Sequence, residues 1–142
     1  MSYSLAFSQA IIAVTYVADK VRQGMFDFVP TKQLSHDLNI SRPSAVKILH
    51  SLTGAGIIET REGAHGGVRL AVAPESVTLL DIFEAIEAGR AMFRKDYRMK
   101  VTGDKPTRAH ATVYRHLDQA EDAMKEELKG VTIAEILRAL YD

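Results

Sequence analysis

The chain has 142 residues, 46% of them hydrophobic and 25% charged, and its 18 basic and 18 acidic side chains cancel to a formal net charge of zero. Those values suit one compact globular unit with an adequate core. There is no cysteine, which excludes disulfides, thiolate metal sites and cysteine nucleophiles.

Residues 4–22 read as the first helix. Leu5, Ile12 and Tyr16 give an apolar face, and Ile11, Val14, Val17 and Val21 widen it. The breadth fits core, with Ile12 also a candidate for a dimer surface. The stretch lacks a basic leader and carries Ser8, Gln9 and Thr15, so it is expected to be a folded helix and not a secretory signal. No run reaches the ~20 apolar residues of a membrane span, and a cytoplasmic protein is expected. Gly24 ends the helix, and the alternation of Phe26, Phe28 and Val29 predicts a short extended segment before Pro30.

The second helix is predicted over Lys32–Leu38, with Thr31 as N-cap and Leu34 and Leu38 inward. Asn39 tolerates the left-handed turn that follows, and Ile40 supplies an apolar plug. Ser41 caps the third helix, with Pro43 in its first turn, where a missing N–H costs nothing. Val46, Ile48, Leu49 and Leu52 are its expected buried side. Arg42, Ser44, Lys47, His50 and Ser51 remain outside. Gly54 and Gly56 end it. Strands are expected at Ile57–Thr60 and Val68–Val72, joined by the glycine-rich loop REGAHGG. A helix, a tight turn, a second helix and a hairpin make a winged helix-turn-helix. The expected class is mainly α with a small β-hairpin wing (α+β).

Pro74 breaks the second strand. Thr78 and Asp81 form a capping box for a helix whose apolar face is Leu79, Ile82, Phe83 and Ile86, ended by Gly89. Residues 90–106 read as a basic, irregular linker. A long helix from Thr107 to Lys129 would extend about 34 Å. Its apolar positions Val113, Leu117, Ala120, Met124 and Leu128 step by three or four residues, a narrow seam of the kind that pairs helices. It is therefore a candidate dimerisation element. Thr132 caps a last helix with Ile133, Ile136, Leu137 and Leu140 inward. The boundaries are thus 1–89 for the winged domain, 90–106 for the linker, and 107–142 for the dimerisation and C-terminal helices, all within one compact unit.

A helix-turn-helix places the N-terminal part of its second helix in the major groove of double-stranded DNA. Arg42 and Ser44 occupy that first turn. Arg suits guanine bidentately, and Ser suits bases or phosphates. Lys47 is placed for phosphate, as are Thr31 and Lys32 at a helix N-terminus. Arg61, His65 and Arg69 give the wing a basic flank that could track the backbone or enter the minor groove. Enzyme signatures are missing. The GAHGG loop precedes a strand and lacks the Lys-Ser/Thr ending of a phosphate loop. The histidines at 36, 50, 65, 110 and 116 never pair at four-residue spacing. Asp118, Glu121 and Asp122 read as a solvated face. The zero net charge and Glu62 keep one alternative open, a winged-helix module that binds protein instead of DNA.

The stretch ISRPSAVKILHSLTGAGIIETREGAHGGVRLAVAPESVTLLDIFEAIEAG resembles the Rrf-two family of bacterial winged-helix transcription regulators. The resemblance rests on the helix exit Leu52–Ile58, the wing Gly63–Ala71 and the segment Pro74–Glu87. It implies a homodimer on a palindromic promoter site, usually a repressor, with the long helices crossing and the first helix contributing to the interface. By motif position it implies DNA reading by Ser41, Arg42 and Ser44 and by the wing around His65 and Gly66. Many relatives hold an iron–sulfur cluster on three linker cysteines. Here GRAMFRKDYRMKVTGDKPTR has none, so no such cofactor is expected. Cluster-free members of the family exist, and some respond to metabolites or partner proteins. An effector here, small molecule or protein, would be sought at residues 90–106 and in the cleft between the winged domain and the long helix. A second departure is Glu62, where a basic residue commonly precedes the wing's first glycine.

Overall fold

A computed structural model describes residues 5–142. Among these residues the order is α1 (Leu5–Arg22), α2 (Thr31–Leu38), α3 (Arg42–Gly54), β1 (Ile58–Arg61), β2 (Gly67–Leu70), a 3-10 turn at Pro74–Ser76, α4 (Leu79–Glu87), α5 (Asp104–Lys129) and α6 (Ile133–Ala139). The expected start of the first helix at residue 4 lies outside the described residues.

Helix α1 is the hub, packing against α2, α3, α4, α6 and β2. Its buried face is Ala10, Ala13, Val14, Val17 and Ala18. The expected stripe is corrected in two places, because Leu5 is 71% and Ile12 55% exposed. Alanines on the inner face let neighbouring backbones come close, so the bulky residues turn outward. Phe7 meets Phe83 of α4 edge-on, with ring centroids 5.3 Å apart at 78°, the arrangement that ring quadrupoles favour.

Tyr16 ties α1 to α2. Its hydroxyl donates to Asp37 Oδ2 at 2.5 Å, and Gln33 Nε2 donates to both oxygens of the same carboxylate at 3.0 Å. Tyr16's donated hydrogen bond, followed by Gln33's, holds the Asp37 carboxyl below the usual carboxylate range. Desolvation, then the bond to Asp37, pushes the Tyr16 hydroxyl up to about 12. A depressed carboxylate stabilises the fold above its unfolded pKa and loses that contribution as pH falls through its folded value. A raised phenol stabilises below the ordinary value of about 10 and loses that contribution as pH rises through its folded value. Tyr16→Phe should therefore lower the melting temperature by a few degrees near neutral pH, with the two melting curves converging in strong acid. A gap that persisted unchanged into strong acid would show that this bond contributes nothing.

Asn39 closes α2 in the left-handed conformation, φ 52° and ψ 47°, and Ile40 is buried behind it. Thr31 does not cap α2. It is the helix's first residue, and Pro30 holds the cap position without a side-chain bond. Ser41 does cap α3, accepting from the Ser44 N–H at 3.3 Å. The buried stripe of α3 is Ala45, Ile48, Leu49 and Leu52. Val46, expected inside, is 53% exposed. Rotating the stripe by one residue to start at Ala45 gives closer packing, and α3 lies against α1, α2, α4 and β1.

The hairpin is antiparallel, with Ile58 opposite Leu70 and Arg61 opposite Gly67. Both strands are displaced slightly from their predicted spans. The segment expected to extend over Phe26–Val29 contributes only Val29, which exchanges two backbone bonds with Val68 at 2.8 and 2.9 Å. This bridge fastens the wing to the entrance of α2.

The Thr78–Asp81 capping box forms in both directions, at 2.9 and 3.1 Å. Helix α5 starts three residues earlier than predicted, at Asp104, so Pro106 falls in its first turn, where it is tolerated. At 26 residues it extends about 39 Å. None of its residues is buried. Leu117, Met124 and Leu128 are half-buried, while Val113 and Ala120 are exposed. Asp118 and Glu121 are not simply solvated. Asp118 pairs with Lys95, and Glu121 accepts from the Met92 N–H, so they hold the linker along α5. Helix α6 packs on α1 and on the 3-10 turn. Backbone bonds from Leu79 to Val131 and from Ile133 to Val77, both 2.9 Å, fix its start beside α4. Among the described residues no helix is long and apolar enough to cross a membrane.

Candidate nucleic-acid interface

The first turn of α3 points its side chains outward because the inner stripe is set by Ala45, Ile48, Leu49 and Leu52. Ser41, Arg42, Ser44, Val46, Lys47 and His50 are all exposed. The Ser41 hydroxyl donates to Ser44 Oγ at 2.9 Å, which leaves the Ser44 proton free to turn outward. The side chains of Arg42 and Lys47 take part in no ion pair among the described residues. Arg42 and Val46 are separated by four residues and share one helix face. An exposed valine in that position offers methyl groups to a groove edge, and apolar contact is how a thymine methyl is recognised. Val46 was not legible in the sequence as part of this outward face. Its only clue was the competing stripe beginning at Ala45.

At the start of α2, Lys32 is exposed and Thr31 half-exposed. With no side chain capping this end, the first-turn N–H groups are open to an anion. The turn between the helices brings this end and the start of α3 into one module.

The wing is built differently from its sequence-based description. Its glycines do more than lengthen a loop. A Cβ on Gly66 would stand 2.3 Å from the Arg61 carbonyl oxygen, and one on Gly67 would stand 2.2 Å from that of Val29. Both positions exclude side chains because backbone passes beside them. Arg61 and Arg69, expected to face phosphate, have internal partners. The Arg61 guanidinium donates to the His65 carbonyl oxygen at 2.7 and 3.2 Å, bracing the loop. Arg69 pairs with Glu59 at 2.5 Å across the strands. Both guanidiniums lie over the Phe28 ring, 4.2 and 4.4 Å from its centroid, a favourable position for a cation. His65 is exposed in the wing loop, as is Glu62.

The seam residues Val113, Leu117, Ala120, Met124 and Leu128 lie on α5, and Ile12 lies exposed on α1. Both are away from α3 in the chain and bear on assembly.

The residues present do not fit an iron–sulfur group. The chain has no cysteine, and among the described residues no three His, Cys, Asp or Glu side chains gather as a metal site would require.

Comparison with known proteins agrees with this geometry. Residues 3–139 match the family described as "Rrf2: Iron-dependent Transcriptional regulator". "Protein aau3" of Rhizobium meliloti (strain 1021) is 32% identical over 125 residues, 84% of this chain and 80% of that protein. Among solved structures, T. potens IscR superposes with a TM-score of 0.69 at 19% identity, covering 99% of this chain and 88% of its own. CymR, described as the global cysteine regulator of B. subtilis, also gives 0.69 at 19% identity, covering 98% of each chain. A helix-turn-helix with an exposed recognition face, a braced wing and a match over nearly the whole length lead to one conclusion: this chain belongs to the Rrf2 family of winged-helix, DNA-binding transcriptional regulators.

Proposed function

We propose that the protein is a cytoplasmic, cluster-free homodimeric repressor that binds a palindromic promoter site. Arg42, Ser44 and Val46 read base edges in the major groove. Ser41 fixes the pitch of that turn, and Thr31, Lys32 and Lys47 anchor phosphates. The wing approaches the backbone through His65 and Gly66, with Arg61 and Arg69 as its braces. The single observation that carries this reading is the outward face of α3, where a guanidinium, a hydroxyl and an isopropyl group stand without internal partners of their own beyond the Ser41 cap. Donor, acceptor and methyl contact are the three means of telling base pairs apart in the major groove. Pairing through α5 is supported by a 26-residue helix with no fully buried residue, whose seam leaves Val113 and Ala120 exposed.

Selection of binding sites from genomic DNA, followed by titration at two salt concentrations, tests this. Arg42→Ala should cost about 1–3 kcal/mol and relax preference at one base position per half-site. Val46→Ala should relax preference for a thymine, with less loss of affinity. Lys47→Ala should weaken all sequences alike and lower the salt slope by about one. Unchanged affinity and preference in the Arg42 and Val46 variants would remove α3 as the reader. Binding with no salt dependence would favour a protein-binding module.

A further inference from the structure

The cleft that the DNA reading does not use lies where the end of α1, the end of β2, the 3-10 turn and α6 meet. Its cavity measures about 600 Å³, within the roughly 300–1,000 Å³ typical of small-molecule sites. The groove along the linker, at Tyr97, Pro106 and His110, is smaller at about 330 Å³. The larger cleft has an apolar floor formed by Val21, Leu70, Ala134 and Leu137. Arg22, Arg69 and Arg138 stand around that floor with a single acid, Glu75.

The arginines are not equally engaged. Arg69 is paired with Glu59. Neither Arg22 nor Arg138 forms an ion pair among the described residues, not even with Glu75. Arg22 is held in place without being neutralised. Its guanidinium lies 5.2 Å from the Tyr141 ring centroid. The Tyr141 hydroxyl in turn donates to Asp19 and accepts from Gln23 Nε2 at 3.1 Å. A positioned guanidinium with open donors beside an apolar floor is arranged for an anion that carries hydrocarbon. Guanidinium binds carboxylate with matching fork geometry.

We infer that this cleft binds a small amphipathic carboxylate, and that its occupancy is passed to the wing through Arg69. The carboxylate lies between Arg22 and Arg138, and the hydrocarbon covers Leu70 and Leu137. Arg69 lines the cleft, and its guanidinium lies over Phe28. Phe28 also carries Arg61, which braces the wing loop at His65. The bound carboxylate brings negative charge into a cleft that Arg69 also lines, which weakens Arg69's hold on Glu59 and so acts on the wing's brace.

Sodium hexanoate and sodium benzoate serve as probes, with hexanamide as the uncharged control. Full-length protein without DNA is titrated by calorimetry and by methyl NMR. Saturable binding of an acid is expected, with shifts centred on Leu70, Ala134 and Leu137. Arg22→Gln and Arg138→Gln should each weaken it about tenfold, as should replacing the acid by the amide. Both arginines are exposed, so the variants should keep the wild-type circular dichroism spectrum. No saturable binding of either acid, shifts elsewhere, or undiminished binding by the double variant overturns the site. The link to the wing rests on the DNA reading and is measured separately, as operator affinity with and without the bound acid. Binding in the cleft with unchanged operator affinity overturns the link. Failure of the unliganded protein to bind any DNA would instead overturn the proposed function, leaving the calorimetry to decide the cleft.

Discussion

Gly67→Ala is expected to destabilise the protein by about 2–4 kcal/mol and to abolish tight operator binding. The residue has φ +152°, a conformation that side chains rarely adopt, and its absent Cβ would stand 2.2 Å from the Val29 carbonyl oxygen, 2.4 Å from the Val29 carbonyl carbon and 2.8 Å from Pro30 N. All three are backbone atoms. They cannot yield as a side chain can, because Val29 is held by both of its bonds to Val68. The added methyl group must break that bridge or lift the strand. Either movement separates the wing from the entrance of α2, and so from the helix-turn-helix. Gly63→Ala provides the contrast. That glycine also has a positive φ, +99°, but its Cβ would meet open space. Only backbone strain remains, about 1–2 kcal/mol. Thermal melts of the two variants should rank accordingly, and operator titration should show a much larger loss for Gly67→Ala. Wild-type stability in Gly67→Ala would mean the Val29–Val68 bridge does not hold the wing. Against a total stability of roughly 5–15 kcal/mol, the expected cost leaves a folded protein whose wing can still be studied.

The parts of the fold that were legible in the sequence carry local chemical signals. Asn39, Ser41 with Pro43, and Thr78 with Asp81 each place a turn or a helix end through their own backbone preferences, and the structure puts caps or turns there. What was misread in α1 and α3 has a common physical origin. In α1 and α3 the expected inner faces were chosen by large apolar residues, whereas the packed faces contain Ala10, Ala13 and Ala18, and Ala45. Alanine weighs little in a hydrophobic pattern, yet it allows helices to approach closely, and that gain in contact fixes the rotation. Leu5, Ile12 and Val46 are displaced outward as a result. On the candidate interface, Arg42, Ser44, Lys47 and Lys32 are exposed as the pattern required. The engagement of Arg61 and Arg69 was hidden because Phe28 lies far from them in sequence. Only Glu59 opposite Arg69 becomes readable, once the hairpin register is known. The close backbone contact of Gly67 with Val29 was invisible for the same reason, whereas that of Gly66 lies within the loop and depends on how the loop folds back on Arg61.

Val113→Asp is expected to convert the proposed dimer to monomers at micromolar concentration, with little change in the stability of the protomer. Val113 is 52% exposed and lies on the seam with Leu117, Ala120, Met124 and Leu128. No residue of α5 is fully buried, and its seam leaves Val113 and Ala120 exposed and Leu117, Met124 and Leu128 half-exposed to a second copy. An isolated helix gains little from propensity alone, so its stability must come from packing of that stripe. In a paired seam the aspartate would be desolvated without a partner, a penalty of several kcal/mol. In the protomer it would remain in water. Leu117→Asp should also separate the dimer, but Leu117 is half-buried in its own protomer, so this variant should lose some melting temperature as well. The pair of variants thus separates assembly from folding. Light scattering gives the mass, and melts at low concentration give the protomer's stability. Operator affinity should fall with the loss of dimer, because each monomer grips a single half-site. A dimer that stayed intact in both variants would place the interface elsewhere, and exposed Ile12 and Leu5 on α1 would then be the next surface to charge.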